Sequence, residues 1–217
     1  MSARIAVFAS GNGSNLEAIL LHGVAVDLVV SDRADAGALA RAARRGVESL
    51  ALADHTDGTA LHTLLHDRHI DLIALAGYLR HVPDAVTHAY HGRMLNVHPS
   101  LLPAFGGPGM YGHRVHAAAL TAGVRVSGAT VHFVDEVYDR GPIIAQWPVP
   151  VLPTDTPETL AARVLRVEHA LYPRAVAAVA AGDVRLDAGG QVLGSIDTIP
   201  IDALYRLDTE EHLSTAR

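Results

Sequence analysis

The chain has 217 residues, enough for one domain with an appendage and for a sizeable core without staples. It contains no cysteine, which excludes disulfides, thiolate metal sites and a cysteine nucleophile. A formal charge of -6 and the lack of a basic block argue against nucleic acid as a partner.

Nearly half the residues are apolar and only three are Phe, so Ala, Val and Leu must build the core. No apolar run approaches the roughly 18 residues of a membrane span, so no membrane is expected as a partner. The first ten residues, MSARIAVFAS, lack the charged start, long apolar stretch and cleavage site of a signal peptide. A cysteine-free chain of this kind suits a reducing compartment, and a cytoplasmic location is expected.

Taken in order, 5–9 is a short apolar run. The Gly-rich stretch ASGNGSN at 9–15 follows it, and helical spacing begins at Asn15 and runs to Leu21. A second apolar run at 27–30 ends in the turn-like pair Ser31-Asp32. An Ala- and Arg-rich helix is predicted over 36–45, a weaker strand over 48–52, and a helix over 59–68 with Leu61, Leu64 and Leu65 on one face. Further apolar runs at 72–76 and 94–97 flank a segment, 83–90, that opens like a helix with proline in its first turn. Continuous apolar runs separated by helices imply a parallel sheet covered on both faces, a doubly wound α/β fold of Rossmann type. Ligands in such folds bind beyond the carboxyl ends of the strands.

The second half differs. Segments 126–134 and 143–151 are rich in strand formers and are joined by DEVYDRGP, which predicts an antiparallel extension of the sheet. A long Ala-rich helix is expected over 157–180, kinked or split at Pro173. Short alternating pieces follow at 184–187 and 191–195, and the last fifteen or so residues are polar and expected to fray. Domain bounds are set at 1–190, with 1–98 as a phosphate-binding half and 99–182 as the half carrying the remaining chemistry; 191–217 forms a tail.

Three groups of residues carry chemistry. In Gly11, Asn12, Gly13, Ser14 and Asn15, glycines let the backbone turn tightly and approach a ligand, while the helix start offers free N–H groups to an anion such as phosphate. The stretch lacks the third glycine of a dinucleotide fingerprint and the Gly-Lys-Ser/Thr of a P-loop. It also reads as an ordinary strand–helix turn with a Ser or Asn cap. In MLNVHPSLLP, 94–103, Asn96 and His98 lie two apart on a strand, so they point the same way at its carboxyl end, just before Pro99 closes the ladder. An amide beside an imidazole there polarises a carbonyl and moves a proton. Each also has a plain reading, a core histidine and a turn asparagine. Asp139 in DEVYDRGP is the third, with Asp135 and Glu136 as rival carboxylates in the same loop. A carboxylate near His98 is expected to raise the imidazole pKa and favour its charged form. The histidine pairs 88/91 and 113/116 have metal-compatible spacing, but no third ligand is obvious, and no metal is expected.

Together the stretches SGNGSN, LAGYLR, LNVHPSLLPAF, SGATVHFVDEVYDRGPIIAQ and EHALYP resemble the phosphoribosylglycinamide formyltransferase family in order and near-family spacing, from about residue 4 to 182. The resemblance implies the formyltransferase fold and formyl transfer from 10-formyltetrahydrofolate to a glycinamide ribonucleotide in purine synthesis. It makes Asn96, His98 and Asp139 the catalytic trio and assigns Gly11–Asn15 to the ribosyl phosphate. Glu168 would meet the ribose or glycinamide part, and Leu79, Arg80, His81 and Val82, with Asn96, would line the folate pocket. It implies small-molecule substrates, no metal, and a monomer or homodimer. Two departures stand out: a longer loop, GGPGMYGH at 106–113, and no basic residue at 55–60. A hydrolase acting on the same folate usually carries an extra N-terminal domain, and an initiator-tRNA formylase a further C-terminal one, so both fit less well. A phosphate-ligand binding module is the non-enzyme alternative.

Overall fold

The computed structural model describes residues 3–196. Five strands form a parallel set: β1 (Ile5–Phe8), β2 (Leu28–Ser31), β3 (Glu48–Ala51), β4 (Leu72–Leu75) and β5 (Met94–His98). Two longer strands, β6 (Val126–Phe133) and β7 (Ile143–Pro150), continue the sheet antiparallel to β5 and to each other. The order β3-β2-β1-β4-β5-β6-β7 puts the topological switch between β1 and β4. The expected doubly wound sheet with an antiparallel extension is what the chain forms.

Alternation along the strands sends residues to two cores. Val7, Ala74, Leu95 and Val131 face the side covered by α1 (Ser14–Leu21), α2 (Gly37–Arg44), α5 (His113–Thr121) and α6 (Pro157–Ala181). Phe8, Ile73 and Met94 face the side covered by α3 (Gly58–Asp67) and α4 (Asp84–Ala89). That second face continues across β5 and β6 with a different character. Asn96 lies opposite His132 and His98 opposite Thr130, so four polar side chains replace the apolar row where α3 and α4 no longer reach.

Two details, at α5 and α6, depart from the sequence reading, and the short pieces after α6 form where it puts them. Helix α5 was not foreseen; its buried face is Val115, His116 and Ala119, too small and too polar to give a clear period. Helix α6 passes through Pro173 without splitting: Pro173 is buried among Tyr172, Ala175 and Val176, and packing offsets the missing N–H. A hairpin of β8 (Arg185–Leu186) and β9 (Val192–Leu193) crosses position 190, and Ile196 beyond it is buried in the first core. The expected fraying of the last fifteen or so residues lies within 197–217, outside the described residues. No helix among the described residues is long and apolar enough to cross a membrane.

Candidate active site

A cavity of about 600 Å³ lies at the carboxyl ends of β4 and β5 and against β6. Asn96, His98 and Asp139 all line it, as do Leu79, Arg80, His81, Val82, Asn15 and Glu168. Gly11 to Ser14 do not line it; they form the turn that carries Asn15 into it.

On β5 the side chains act as a pair, as the spacing predicts. His98 is nearly fully buried. Its Nε2 donates to the Phe105 carbonyl at 2.9 Å, which leaves Nδ1 facing Asp139 Oδ1 at 3.5 Å. Phe105 and Asp139 are both non-glycine residues with left-handed backbone, φ 55 and φ 57. Such conformations persist where surrounding structure over-determines them, and here both residues hold the same imidazole. Asp139 is also pinned by the Gly107 N–H, which donates to Oδ2 at 2.8 Å. Gly141, two residues on, packs so closely on the Phe133 carbonyl that an added Cβ would lie 1.9 Å from its oxygen. This contact returns the loop to the sheet and brings Asp139 over the site. Of the rival carboxylates, Asp135 also lines the cavity but caps the Val137 N–H at 2.9 Å, and Glu136 lies outside it and pairs with His88 at 2.6 Å.

The electrostatics correct one expectation. Burial pushes the His98 imidazole below its ordinary pKa; the Asp139 charge and the Phe105 carbonyl pull it upward but do not overcome desolvation. Asp139 itself is held below the usual carboxylate range: burial works to raise it, and the neighbouring imidazoles and the Gly107 N–H outweigh that.

His132 is a site residue that sequence reasoning missed. It stands opposite Asn96 in the β5–β6 register. Its Nδ1 is 2.7 Å from the Phe133 carbonyl, an acceptor only, so Nδ1 carries the hydrogen. Nε2 then accepts from Asn96 Nδ2 at 3.2 Å and lies 3.7 Å from Asp139 Oδ1. His132 thereby orients the Asn96 amide with its nitrogen toward the site. Alternation over 126–133 was enough to place His132 and Thr130 on one face; the register that sets His132 against Asn96 is not readable from local pattern.

The glycine turn is braced from behind. The Ala38 N–H donates to the Gly11 carbonyl at 3.1 Å and Arg41 Nε to the Asn12 carbonyl at 2.7 Å. Gly13 has φ 72, and a Cβ there would lie 2.7 Å from the Ala38 Cα. Asn15 Nδ2 donates to Glu168 Oε2 at 2.8 Å, while Asn15 Oδ1 is buried with no partner. Burial pushes the Glu168 carboxyl up to about 7, against the opposing effect of Asn15. An orphaned amide oxygen beside a carboxyl poised near neutrality suits a ligand with hydroxyl or amine donors.

The 106–113 loop, left open at the sequence level, lines the cavity from Gly107 to His113. Opposite it, His81 stacks edge-on with Tyr138 at 5.2 Å, and Leu79, Val137 and Tyr138 leave apolar surface exposed at the mouth. The histidine pairs do not gather: among the described residues no group of three or more His, Cys, Asp or Glu is arranged to hold a metal.

Comparison with known proteins agrees with this geometry. A family model described as formyl transferase matches residues 3–176. The chain is 43% identical over 190 residues to a chloroplastic phosphoribosylglycinamide formyltransferase of Arabidopsis thaliana, with 81% of this chain and 65% of that protein covered. The chain thus spans less than two thirds of the plant relative's length. It is 40% identical to the phosphoribosylglycinamide formyltransferase of Bacillus subtilis, covering 80% of this chain and 92% of that one. The crystal structure of phosphoribosylglycinamide formyltransferase from Anaplasma phagocytophilum superposes with a TM-score of 0.83 at 34% identity, over 92% of this chain and 97% of that chain. The sheet order, the antiparallel extension and these matches agree: the chain belongs to the formyl transferase family, among its phosphoribosylglycinamide formyltransferases.

Proposed function

We propose that this protein transfers the formyl group of 10-formyltetrahydrofolate to the amine of phosphoribosylglycinamide, a step of purine synthesis. The observation that carries the reading is the convergence of Asn96, His98 and Asp139 on one wall of a cavity whose far end holds Asn15 and Glu168. One substrate is gripped at the Gly11–Asn15 turn, the other along Leu79–Val82, and the reacting atoms meet over β5. Grip at both ends supplies positioning, which lowers the barrier without a covalent intermediate.

The glycinamide amine attacks the formyl carbon and negative charge develops on the formyl oxygen. Asn96 Nδ2 has one hydrogen given to His132 and a second free for that oxygen. His98 Nε2–H is held by the Phe105 carbonyl and is exchanged to the oxyanion as charge builds. As charge builds, the ring takes up at Nδ1 a proton lost by the attacking amine, is held between Asp139 and the oxyanion, and returns that proton through Asp139. Asp139, ionised and 3.5 Å from His98, is placed to relay the proton lost by the amine toward the departing folate nitrogen, through a water where needed. Glu168, largely protonated below neutral pH, receives the ribose or glycinamide part. The setting is cytoplasmic in this proposal, in keeping with a cysteine-free chain, and the assembly is a monomer or homodimer.

The test follows folate absorbance with and without glycinamide ribonucleotide. Turnover that depends on the ribonucleotide is expected. Deformylation at the same rate in its absence would replace the transferase reading with a hydrolase.

A further inference from the structure

Asp32 is the residue just past β2, and its side chain is 1% exposed. It does not line the cavity, and no step above uses it. A carboxylate removed from water is unfavourable unless it is paired, and here one oxygen, Oδ1, is buried with no hydrogen-bond partner. The other, Oδ2, accepts from Arg80 Nε at 2.8 Å. Ser10, at the end of β1, stands beside the same carboxylate. Its hydroxyl accepts the Leu79 N–H at 2.8 Å, and its own N–H donates to the Gly77 carbonyl at 3.1 Å. Two successive residues of the cavity wall, Leu79 and Arg80, are therefore tied to two groups gathered at Asp32. Burial tends to raise the Asp32 carboxyl, but Ser10 and Arg80 hold it below the usual range, so it stays ionised through neutral pH.

We infer that Asp32 is a positioning residue for the formyl donor: through Arg80 and Ser10 it fixes the strip Leu79–Val82 against the ends of β1 and β2. This rests on the reading that the strip holds the folate. An ion pair between two exposed groups contributes little, because both side chains move. Here one partner is immobile in the core, and the half-exposed Arg80 is moored to it. A wall ordered before binding loses less entropy when the ligand arrives, so the effect appears as affinity for the donor. The ribonucleotide end is held by other bonds: Ala38 to Gly11, Arg41 to Asn12 and Asn15 to Glu168.

Steady-state kinetics of the full chain with 10-formyltetrahydrofolate and glycinamide ribonucleotide, read beside thermal melting, test the inference. Asp32→Ala is expected to raise the folate KM about ten-fold, with the ribonucleotide KM within about two-fold of wild type. Asp32→Asn, which keeps an oxygen for Arg80, should stay within about three-fold. A folate KM unchanged in Asp32→Ala while the melting temperature falls would make Asp32 merely structural, and a parallel rise in both KM values would equally overturn the proposal. Should Asp32→Ala fail to fold, Ser10→Ala cuts the Leu79 tie and must raise the folate KM alone; no change there overturns it as well. Wild-type protein that transfers no formyl group to the ribonucleotide takes down the functional reading together with this inference, whereas active wild type with an unaltered Asp32→Ala removes the inference only.

Discussion

At the scale of single residues, burial sets the direction at Glu168 and His98, while polar neighbours outweigh it at Asp139. Glu168 is the clearest case. Its carboxyl is raised from 4.5 to about 7 in the folded chain, so folding takes up a proton. The stabilisation linked to that proton is fully present below about 4.5 and is lost as pH rises through about 7. Melting curves between pH 5 and pH 8 are therefore expected to decline more in wild type than in Glu168→Gln, which cannot titrate; parallel curves would contradict the assignment. Asn96 supplies a different measure. Removing one preorganised donor to an oxyanion lowers kcat by about 100- to 1,000-fold in comparable sites, and Asn96→Ala is expected to fall in that range. Its melting temperature should stay close to wild type, since Asn96 is only partly buried and its amide bonds one side chain. Legibility at this scale was uneven. Asn96, His98 and Asp139 stood out because prolines and glycines bracket them. His132 sits inside an apolar strand with no such punctuation, and Phe105 and Gly107 act through main-chain groups that leave no mark on residue identity.

At the scale of elements, strands and helices were legible wherever an apolar period was strong and bounded by turn residues. β1, β2, β4 and β5 each read as a short apolar run, and α6 announced itself by Pro157 at its start and Gly182 past its end. Helix α5 failed that test, because Ala119 and His116 dilute its buried face. The turn between β1 and α1 is the element boundary proposed to hold the ribonucleotide. The Gly11 and Asn12 carbonyls are taken by α2 from behind, which suits the turn to presenting N–H groups to an anion. Gly13→Ala places a side chain at φ 72 and 2.7 Å from the Ala38 backbone, so turn and helix must separate. A loss of about 1–3 kcal/mol in urea denaturation is expected, accompanied by a raised ribonucleotide KM and little change in the folate KM. An unchanged ribonucleotide KM would show that the turn does not face that substrate.

For the whole molecule, the parallel half supplies the carboxyl-end crevice and the antiparallel half brings a second strand and a return loop against it. Neither half contains the site. The doubly wound class followed from the alternation of apolar runs and helices, but the meeting of residues 15 and 168 did not, since no local pattern encodes a contact between helices at opposite ends of the sequence. The hairpin β8–β9 and Ile196 extend the packed body past residue 190. A chain ending at Gly190 loses the β9 partner and a buried isoleucine worth about 1.5–3 kcal/mol. Its melting temperature is expected to drop by several degrees, with kcat nearly intact in the fraction that remains folded. The Asn15–Glu168 hydrogen bond spans 153 positions. On a ribosome its two ends therefore emerge far apart in time: the turn first, then β5, then the Asp139 loop, and Glu168 only with α6. A stalled or prematurely ended chain is thus not a slower version of the protein but one without the pocket proposed for the acceptor, and α6 is the helix that completes it.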